Sequence, residues 1–365
     1  MAVKLRRQLA ARLADRGAIR SNEWRRVFET VPRHLFVPRF YRNGENGPVL
    51  FDSSVPDQHD QWLTGTYGDE ALTVAYDPAN QTTPLSSSSM PTLMAVMLEA
   101  LDVSSGQTVL EIGTGTGYNA ALLCERLGSH LVTTVDIDEQ LVAEARERLN
   151  QAGYSPTVAI ADGQQGLAEN TPYDRLIATC AVTHLPPAWF DQVRPGGLIL
   201  AILGTGLLKV EVRDGGEAEG RFLRTPLRYM RMRGQGPATP PTRDLLELTG
   251  QHGQKRVMRH PGTIADDDSF WFFLRLAHLP HVLLFGKGEE FDRVVDLTDL
   301  SWAHFAADGK VIEGGPRRLW SEIEDAYEDW SDLGRATRER FGMTFTVGRR
   351  HVWLDRSGSD HSWEV

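Results

Sequence analysis

Three alternate glycines near the middle of the chain form the segment best suited to bind a ligand. An apolar run leads to Glu111, and Gly113, Gly115 and Gly117 follow before a predicted helix. Because glycine has no Cβ, the backbone can turn tightly there and approach a ligand closely. The start of the following helix adds free N–H groups and the positive end of its dipole. The spacing G-x-G-x-G differs from the dinucleotide pattern G-x-G-x-x-G, and a plain turn is the alternative interpretation.

Two acidic residues at the ends of later apolar runs can bind the sugar and the base of a nucleoside. Asp136 follows the glycine loop by about 20 residues, where a carboxylate can accept hydrogen bonds from both ribose hydroxyls. The alternative is that Asp136 or Asp138 only caps the next helix, and we assign the cap to Asp138. Asp162 ends the next apolar run, and Gly163 beside it lets a base lie against the backbone.

Strands that alternate with helices must position these residues. The apolar runs span residues 109–112, 131–135, 157–160, 173–179 and 197–202. Alternation of this kind is typical of a parallel sheet with helices on both faces, which binds ligands at the carboxyl ends of its strands. The candidate residues at those ends are Gly113, Asp136, Asp162 and Thr179. We therefore expect an α/β fold with a doubly wound, Rossmann-like sheet, completed by an antiparallel edge hairpin around Asp214-Gly215-Gly216.

The glycine loop with its leading acid resembles the S-adenosylmethionine (SAM) loop of class I methyltransferases. The resemblance implies that SAM is the cofactor. It assigns cofactor binding to Glu111, Gly113, Thr114, Gly115, Gly117, Asp136, Asp162, Gly163 and Thr179.

Composition limits the classes of protein that remain. A chain of 365 residues suits two domains or one enlarged domain. Lys and Arg total 39 against 49 Asp and Glu, and the net charge of −10 argues against nonspecific nucleic-acid binding. Cys124 and Cys180 provide neither a disulfide framework nor the spacing of a metal site. Without a signal-peptide core or ~18 continuous apolar residues, a cytoplasmic protein without a membrane span is expected.

Several segments, taken in order, resemble the protein-L-isoaspartate O-methyltransferases. They are Val31–Pro38, Gln81-Thr82 with Ser89-Met90-Pro91 after it, Val109–Gly117, Asp162–Gly166 and Pro172–Arg175. The resemblance covers roughly residues 1–233, and its serine-x-proline and aspartate-glycine segments are more specific than the glycine loop. It implies a SAM-dependent carboxyl O-methyltransferase whose partner is a peptide or protein substrate.

The implied acceptor is a side-chain carboxylate with a free pKa of ~4, which is ionised at neutral pH and needs no general base. Catalysis can then depend on aligning a carboxylate oxygen with the methyl group. The match implies that the Ser89 hydroxyl, with Ser87, orients the acceptor. The alternative for residues 86–89 is a flexible polar linker that caps the helix beginning near Pro91. His184, after the fourth strand, is a candidate substrate-binding residue, with an incidental loop position as the alternative.

Two departures from the family pattern concern the substrate. Residues 83–88 lengthen the acceptor-side segment, and the chain continues for over a hundred residues beyond the usual end of repair enzymes. We expect a SAM domain with a helical N-terminal cap at 1–233, and a small α+β accessory domain that binds peptide at 234–365. A polar linker is expected at Arg233–Thr242, a helix at Arg318–Arg340, and a closing hairpin from 345–347 and 351–354.

A core of this lineage with an added C-terminal domain resembles the peptide-aspartate methyltransferases of ribosomally made, modified peptides (RiPPs). In that branch an ordinary aspartate of a constrained precursor is esterified. The next backbone nitrogen then closes an aspartimide (succinimide) ring as methanol leaves, with isoaspartate as a further product. The alternatives are isoaspartate repair, methylation of a small-molecule carboxylate or other nucleophile, and a SAM-binding module without turnover. The oligomeric state and the precursor stay open.

Overall fold

The computed structural model describes residues 1–44, 47–78, 83–237, 239–260, 264, 266–286, 292–305, 308–346 and 348–365. The α-helices are α1 (Ala2–Asp15), α2 (Asn22–Thr30), α3 (Arg33–Phe36), α4 (His59–Thr66), α5 (Pro91–Leu101), α6 (Tyr118–Leu127), α7 (Glu139–Gln151), α8 (Pro187–Gln192), α9 (Thr242–Leu248), α10 (Asp268–Ala277) and α11 (Leu319–Asp332). The first strands are β1 (Arg39–Gly44), β2 (Gly47–Asp52), β3 (Leu72–Tyr76), β4 (Pro84–Ser88), β5 (Val109–Ile112), β6 (Val132–Asp136), β7 (Thr157–Ile160), β8 (Tyr173–Val182), β9 (Val193–Leu203) and β10 (Gly206–Val212). The later strands are β11 (Ala218–Pro226), β12 (Gln254–Val257), β13 (Val282–Phe285), β14 (Arg293–Asp296), β15 (Trp302–Phe305), β16 (Lys310–Gly314), β17 (Phe341–Thr346), β18 (Arg349–Leu354) and β19 (Ser362–Glu364).

A ten-stranded sheet in the order β19-β18-β17-β11-β10-β9-β8-β5-β6-β7 forms the centre of the molecule. Strands β5 to β9 pair in parallel, and β10 and β11 continue the sheet antiparallel. The chain runs from β5 outward to β7 and then returns to β8 on the other side of β5. This reversal is the switch point at which doubly wound sheets bind ligands. The predicted α/β fold with a doubly wound sheet and an antiparallel edge hairpin is confirmed.

Helix α7 shows how the sequence sets the elements beside this switch point. The Asp138 carboxylate accepts hydrogen bonds from the backbone N–H groups of Gln140 and Leu141, both at 3.1 Å. An acidic N-cap satisfies donors that the first helical turn leaves free and interacts favourably with the helix dipole. The prediction that Asp138 caps this helix is confirmed.

A smaller sheet in the order β2-β1-β3-β4 lies in the N-terminal part and shares an apolar core with α1, α2, α5 and α6. Its strand β4 contradicts the flexible linker considered for residues 86–89, since Ser87 and Ser88 pair with Thr73 and Leu72 of β3. The serines do not cap α5 either. Asp69 accepts from the Thr92 backbone N–H at 2.9 Å and occupies that role. Gln81-Thr82, part of the family resemblance, lies outside the described residues.

The C-terminal region is joined to the central sheet more closely than the predicted boundary at Arg233 implies. Strand β17 pairs antiparallel with β11, with Ala218 opposite Phe345, and β18 and β19 follow it. One apolar core includes Leu110 and Trp189 from the first part and Phe272 and Trp320 from the second. A five-stranded sheet, β12-β16-β15-β14-β13, is built from the extension alone. The strands of this smaller sheet pack with α9 to α11. Strands β17, β18 and β19 belong to the ten-stranded sheet instead.

The predicted helix at Arg318–Arg340 is shorter than expected. Helix α11 ends at Asp332, because Gly334 and Arg335 adopt left-handed φ values of 71° and 53°. The predicted apolar face is present, since Trp320, Ile323, Tyr327 and Trp330 are buried. The predicted closing hairpin corresponds to β17 and β18, although Val347 lies outside the described residues. Among the described residues, no helix has both the length and the apolar character needed to cross a membrane.

Candidate active site

A cavity of about 780 Å³ lies at the carboxyl ends of β5, β6 and β8. Its size falls in the range of roughly 300–1,000 Å³ that is usual for small-molecule sites. Its wall includes residues 83–90, 112–116, 135–137, 162–163, 179–180 and 228–233. The first and last of these segments meet where Ser87 contacts Met230, and the others lie at the ends of the parallel strands.

The glycine loop is held against β8 at the switch point. Gly113 has a φ of 97°, and a Cβ placed there would lie 2.9 Å from the Thr179 hydroxyl oxygen. That hydroxyl donates to the Gly113 carbonyl at 2.7 Å and approaches the Ile112 carbonyl at 3.1 Å. Thr179 lies in the cavity wall as predicted, but its proton is used to fix the loop. A cofactor can therefore use only the remaining acceptor capacity of this oxygen.

Asp136 lies across the loop and is positioned by it. The Gly115 N–H donates to one carboxylate oxygen at 2.9 Å, and the Asp138 N–H donates to the other at 3.2 Å. A carboxylate has about four acceptor positions, so positions remain for the two hydroxyls of a ribose. The side chain of Asp136 is half-buried in the cavity wall.

The end of β7 contributes a second carboxylate in a similarly fixed turn. Asp162 accepts from the Gln164 N–H at 2.9 Å through Oδ1. The Gly163 carbonyl accepts from the Trp189 indole N–H at 2.8 Å, which anchors the turn to α8. Ile112 and Ile137 add apolar surface to the cavity. These groups provide an apolar slot with an acceptor at its end, as an adenine base requires.

Two predicted cofactor ligands lie outside this wall. Glu111 is fully buried and accepts from the Asn119 amide and the Thr134 hydroxyl, both at 2.7 Å. Burial raises the pKa of Glu111 to about 7. Gly117 packs against α7, where a Cβ would lie 3.3 Å from that of Ala145. These two residues hold the junction of β5, α6 and β6 from behind the loop instead of contacting a ligand in the cavity.

The donor set fits SAM on the grounds of chemistry. The cavity offers a backbone loop at a helix N-terminus, two carboxylates with unused acceptor positions, and an apolar slot between them. A nucleoside has the hydroxyls and the base that match these groups. Both carboxylates also favour a ligand that carries the positive charge of a sulfonium.

The predicted acceptor serines line the same cavity, Ser87 within β4 and Ser89 just after it. Ser87 and Ser89 are half-buried, and the Ser87 hydroxyl lies 3.5 Å from the Met230 sulfur. The Tyr229 hydroxyl is buried beside Ser89 without a normal hydrogen bond to any described residue. Burial raises the pKa of Tyr229, so the phenol stays protonated. Sequence reasoning missed Tyr229, which follows β11 with no motif to mark it.

Arg33 holds the acceptor wall in place from inside the protein. Its side chain is fully buried, and its guanidinium donates to the Thr66 carbonyl at 2.9 Å and the Ser89 carbonyl at 3.0 Å. It also donates to the Gly68 carbonyl at 3.0 Å. Burial lowers the pKa of Arg33 to about 10, which leaves it charged at neutral pH. The sequence alone did not assign this role to Arg33. The signal for it was a cation within the apolar run Val31–Pro38.

His184 is outside the cavity wall, and its contact with substrate stays a prediction. Its ring Nδ1 lies 3.2 Å from the Thr183 hydroxyl, and its carbonyl accepts from the Gln235 amide at 3.3 Å. Burial lowers the pKa of His184. Cys180 does line the cavity, and burial raises the pKa of its thiol to about 12. Among the described residues, no three His, Cys, Asp or Glu side chains are grouped to hold a metal ion.

Comparison with known proteins identifies the family. A family model described as Protein-L-isoaspartate(D-aspartate) O-methyltransferase (PCMT) matches residues 55–220. The protein-L-isoaspartate O-methyltransferase of Hyperthermus butylicus is 33% identical over 226 residues, which are 58% of this chain and 81% of the relative. That of Azorhizobium caulinodans is 37% identical over 217 residues, 57% of this chain and 84% of the relative.

A solved structure named protein-L-isoaspartate O-methyltransferase shares the fold of almost the whole chain. It has a TM-score of 0.57 at 22% identity, and the match covers 96% of this chain and 100% of that one. The alignment therefore extends into the region beyond Arg233. Sequence identity of about one third over four fifths of a relative establishes common descent, and the cavity has the donors that SAM needs. The chain belongs to the protein-L-isoaspartate O-methyltransferase family of SAM-dependent carboxyl methyltransferases.

Proposed function

We propose that this enzyme esterifies an aspartate side chain in a ribosomally made, modified precursor peptide (a RiPP precursor), and that the ester closes to an aspartimide. Methyl transfer to a carboxyl group of a peptide or protein follows from the family. The proposal concerns the acceptor within that activity. The observation that carries it is the acceptor wall formed by β4 and residues 228–233.

The acceptor wall carries several positively charged side chains. Arg228, Arg231 and Arg233 all line the cavity next to the serine-rich strand β4. A repair enzyme has to accept damaged residues in many sequence contexts. Arginines beside the acceptor instead favour some flanking sequences over others, because specificity is a difference of affinities. This wall supports a dedicated substrate.

The protein has to align the acceptor carboxylate with the methyl group of SAM. When bound, SAM supplies an electrophilic methyl group on a sulfonium sulfur, and we propose that Gly113, Gly115, Asp136 and Asp162 hold it. The Ser89 hydroxyl donates to one oxygen of the acceptor carboxylate and leaves the other free to react. No base is required, since the acceptor is already ionised at neutral pH. Holding two reactants in line can lower the barrier by several kcal/mol.

The aspartimide forms from the ester by chemistry of the substrate itself. The backbone nitrogen of the next residue attacks the ester carbonyl, a C–N bond forms, and the C–O bond to the methoxy group breaks. The proton of the nitrogen leaves with the methoxy group as methanol. A carboxylate cannot react in this way because it lacks a good leaving group, so the methyl group serves as an activator.

We further propose that the extension, residues 234–365, contributes to peptide binding. His281 of the extension lies near the cavity rim, since its Cε1 atom and the Arg231 guanidinium both approach Gly236. The solved structure named protein-L-isoaspartate O-methyltransferase also matches this chain over the extension. An extension alone therefore does not separate a dedicated enzyme from a repair enzyme.

Isoaspartate repair is the second candidate, and the comparisons favour it. The relatives from Hyperthermus butylicus and Azorhizobium caulinodans are both named protein-L-isoaspartate O-methyltransferase. In repair the acceptor is the free α-carboxylate of an isoaspartyl residue, and the same alignment by Ser89 applies. The two candidates differ in the acceptor and in the range of sequences accepted.

The test uses the full chain, SAM and three peptides of one sequence. One is linear with aspartate, one is linear with isoaspartate, and one has the aspartate within a lactam ring. Mass spectrometry follows the gain of one methylene unit and the later loss of methanol. Our proposal predicts ester or aspartimide on the ring peptide and little on either linear peptide. Fast labelling of the isoaspartyl peptide alone would assign the enzyme to repair.

A further inference from the structure

We propose that Arg231 binds a second carboxylate of the peptide, on a residue next to the acceptor, so that the preferred substrate is acidic around the modified position. This inference rests on the proposed carboxyl methylation and adds a class of substrate to it. Four features support it: the fixed backbone of Arg231, its place in the cavity wall, its lack of an anionic partner, and its position beside the acceptor serines.

The backbone on both sides of Arg231 is tied to the end of β8. The Ala181 N–H donates to the Met230 carbonyl at 2.8 Å, and the Met232 N–H donates to the Ala181 carbonyl at 2.8 Å. These two bonds form a parallel bridge that fixes the origin of the Arg231 side chain. A binding residue on such a support does not have to be ordered at its Cα when a ligand arrives.

The neighbouring arginines of this segment already have anionic partners. Arg228 lies 3.8 Å from an Asp268 oxygen, and Arg233 lies 3.2 Å from an Asp138 oxygen. For Arg231, in contrast, no carboxylate of the described residues lies within ion-pair distance. Its guanidinium makes a single long contact to a side chain, the Thr239 hydroxyl at 3.4 Å.

An arginine in this condition has unused binding capacity. A guanidinium has five N–H donors in a planar fork that matches a carboxylate. Desolvation at the cavity wall lowers the pKa of Arg231 without an anion to offset it. The chain carries 49 acidic residues against 39 basic ones, yet none of those described is placed beside this cation. A ligand carboxylate would form the charge-assisted, two-point contact that the protein leaves open.

Two ligands in the cavity can supply a carboxylate, the peptide and the amino-acid end of SAM. Arg231 lies on the acceptor side, because Met230 beside it contacts Ser87 and Tyr229 adjoins Ser89. Met232 and Arg233 after it approach Gly163 and Asp138, but the Arg231 guanidinium approaches Gly236 and Thr239 and forms no ion pair with Asp136 or Asp162. We therefore assign the peptide carboxylate to Arg231 and keep the SAM carboxylate as an outcome of the test.

The experiment compares two peptides that differ only in having Glu or Gln next to the acceptor residue. The acceptor residue in both is the one that the enzyme methylates in the three-peptide assay. Wild-type enzyme is expected to show a kcat/KM for the Glu peptide about 3- to 10-fold above that for the Gln peptide, because Arg231 is an exposed residue and solvent screens the contact. In Arg231→Gln the ratio of the two kcat/KM values falls to about 1, whereas the Kd for S-adenosylhomocysteine (SAH) stays within about 2-fold of wild type. Arg231→Lys should retain part of the preference, since a point charge replaces the fork.

The control is Arg224→Gln, which removes the same charge from an exposed side chain of β11 paired with Glu339 at 3.8 Å. It should keep the full preference for Glu. An Arg231→Gln enzyme that keeps this preference would overturn the inference while leaving carboxyl methylation intact. A loss of SAH affinity in Arg231→Gln with the preference unchanged would assign the residue to SAM and also overturn it. No ester on either peptide with wild-type enzyme would contradict the proposed function, and the inference with it.

Discussion

Ser89 is the residue on which the proposed methyl transfer depends most directly. Ser89→Ala should lower kcat by about 10- to 100-fold, because the acceptor carboxylate loses the donor that orients it. The Kd for SAH should not change, since the residues proposed to hold the cofactor are Gly113, Gly115, Asp136 and Asp162. Single-turnover methyl transfer and calorimetry measure the two quantities. Undiminished transfer by Ser89→Ala would remove the role assigned here, and Ser87→Ala shows how far its neighbour contributes.

Gly113 is the residue that tests the cofactor loop. Gly113→Ala places a side chain at a φ of 97°, and the added Cβ would lie only 2.9 Å from the Thr179 hydroxyl oxygen. Both features are unfavourable. We expect the loop to shift and the Kd for SAH to rise by at least about 10-fold, which corresponds to roughly 1.4 kcal/mol. Gly106→Ala is a matched control, because Gly106 has a φ of 86° and no atom within 4 Å of the added Cβ. Equal SAH affinity in the two variants would show that the loop tolerates a side chain.

Glu111 makes the stability of the protein depend on pH. Its folded pKa of about 7 is above its ordinary value of 4.5. The folded state therefore binds this proton more tightly, and the free energy of unfolding falls as pH rises from 4.5 through 7. The expected loss is on the order of 3 kcal/mol. Glu111→Gln should remove this part of the pH dependence in denaturant titrations without SAM, whereas the exposed Glu139→Gln should not. Parallel pH profiles for Glu111→Gln and wild type would contradict the assignment.

The role of strand β4 depends on an element far away in the sequence, the short helix that carries Arg33. Arg33→Met should lower the free energy of unfolding by about 3–5 kcal/mol, because several buried carbonyls lose their donor together. Denaturant unfolding with fixed slope measures this change. Arg25→Met, on the exposed side of α2, should cost within about 0.5 kcal/mol. Similar stability for the two variants would show that the acceptor wall does not depend on Arg33.

Elements with local signals could be predicted, and those formed by distant pairing could not. The strand at Thr157–Ile160 has the predicted bounds and Asp138 caps α7 as predicted, since capping and apolar patterns act within a few residues. Strand β4 has three consecutive serines and no apolar alternation, and only its pairing with β3 makes it a strand. The pairing of β17 with β11 likewise joins segments more than a hundred residues apart.

The same division applies to the site. Gly113, Gly115, Asp136, Asp162 and the two serines are marked by motifs, and all of them line one cavity. Glu111 and His184 have suitable residue types but side chains directed elsewhere, which a motif does not show. Tyr229 and Arg231 reach the cavity through the tertiary bridge to Ala181, so the sequence contained no local signal for them.

At the scale of the whole molecule, the extension and the methyltransferase core should unfold together. Phe272 of α10 packs on Phe222 of β11 with ring centroids 4.9 Å apart, and β17 covers the edge of β11. Removing residues 234–365 exposes this apolar surface and the edge strand, which favours aggregation. We expect the truncated chain to aggregate and to lose cooperative thermal unfolding, measured by circular dichroism and light scattering. A monomeric truncated chain with unchanged Tm and SAH affinity would show that the boundary at Arg233 separates independent domains.

If the extension and the core unfold together, truncation does not distinguish a precursor-peptide methyltransferase from a repair enzyme. Loss of activity after truncation would reflect loss of the fold, whichever substrate the enzyme has. The distinction must therefore come from the intact chain and from the choice of acceptor.

The most direct measurement is a competition in one tube. Intact enzyme receives limiting SAM and equal amounts of the lactam-bridged aspartyl peptide and the linear isoaspartyl peptide, and mass spectrometry follows the methyl group. We predict that most of the methyl groups are transferred to the lactam-bridged aspartyl peptide, which then loses methanol to form the aspartimide. If the linear isoaspartyl peptide takes the label instead, the enzyme is a repair methyltransferase and the central claim is contradicted.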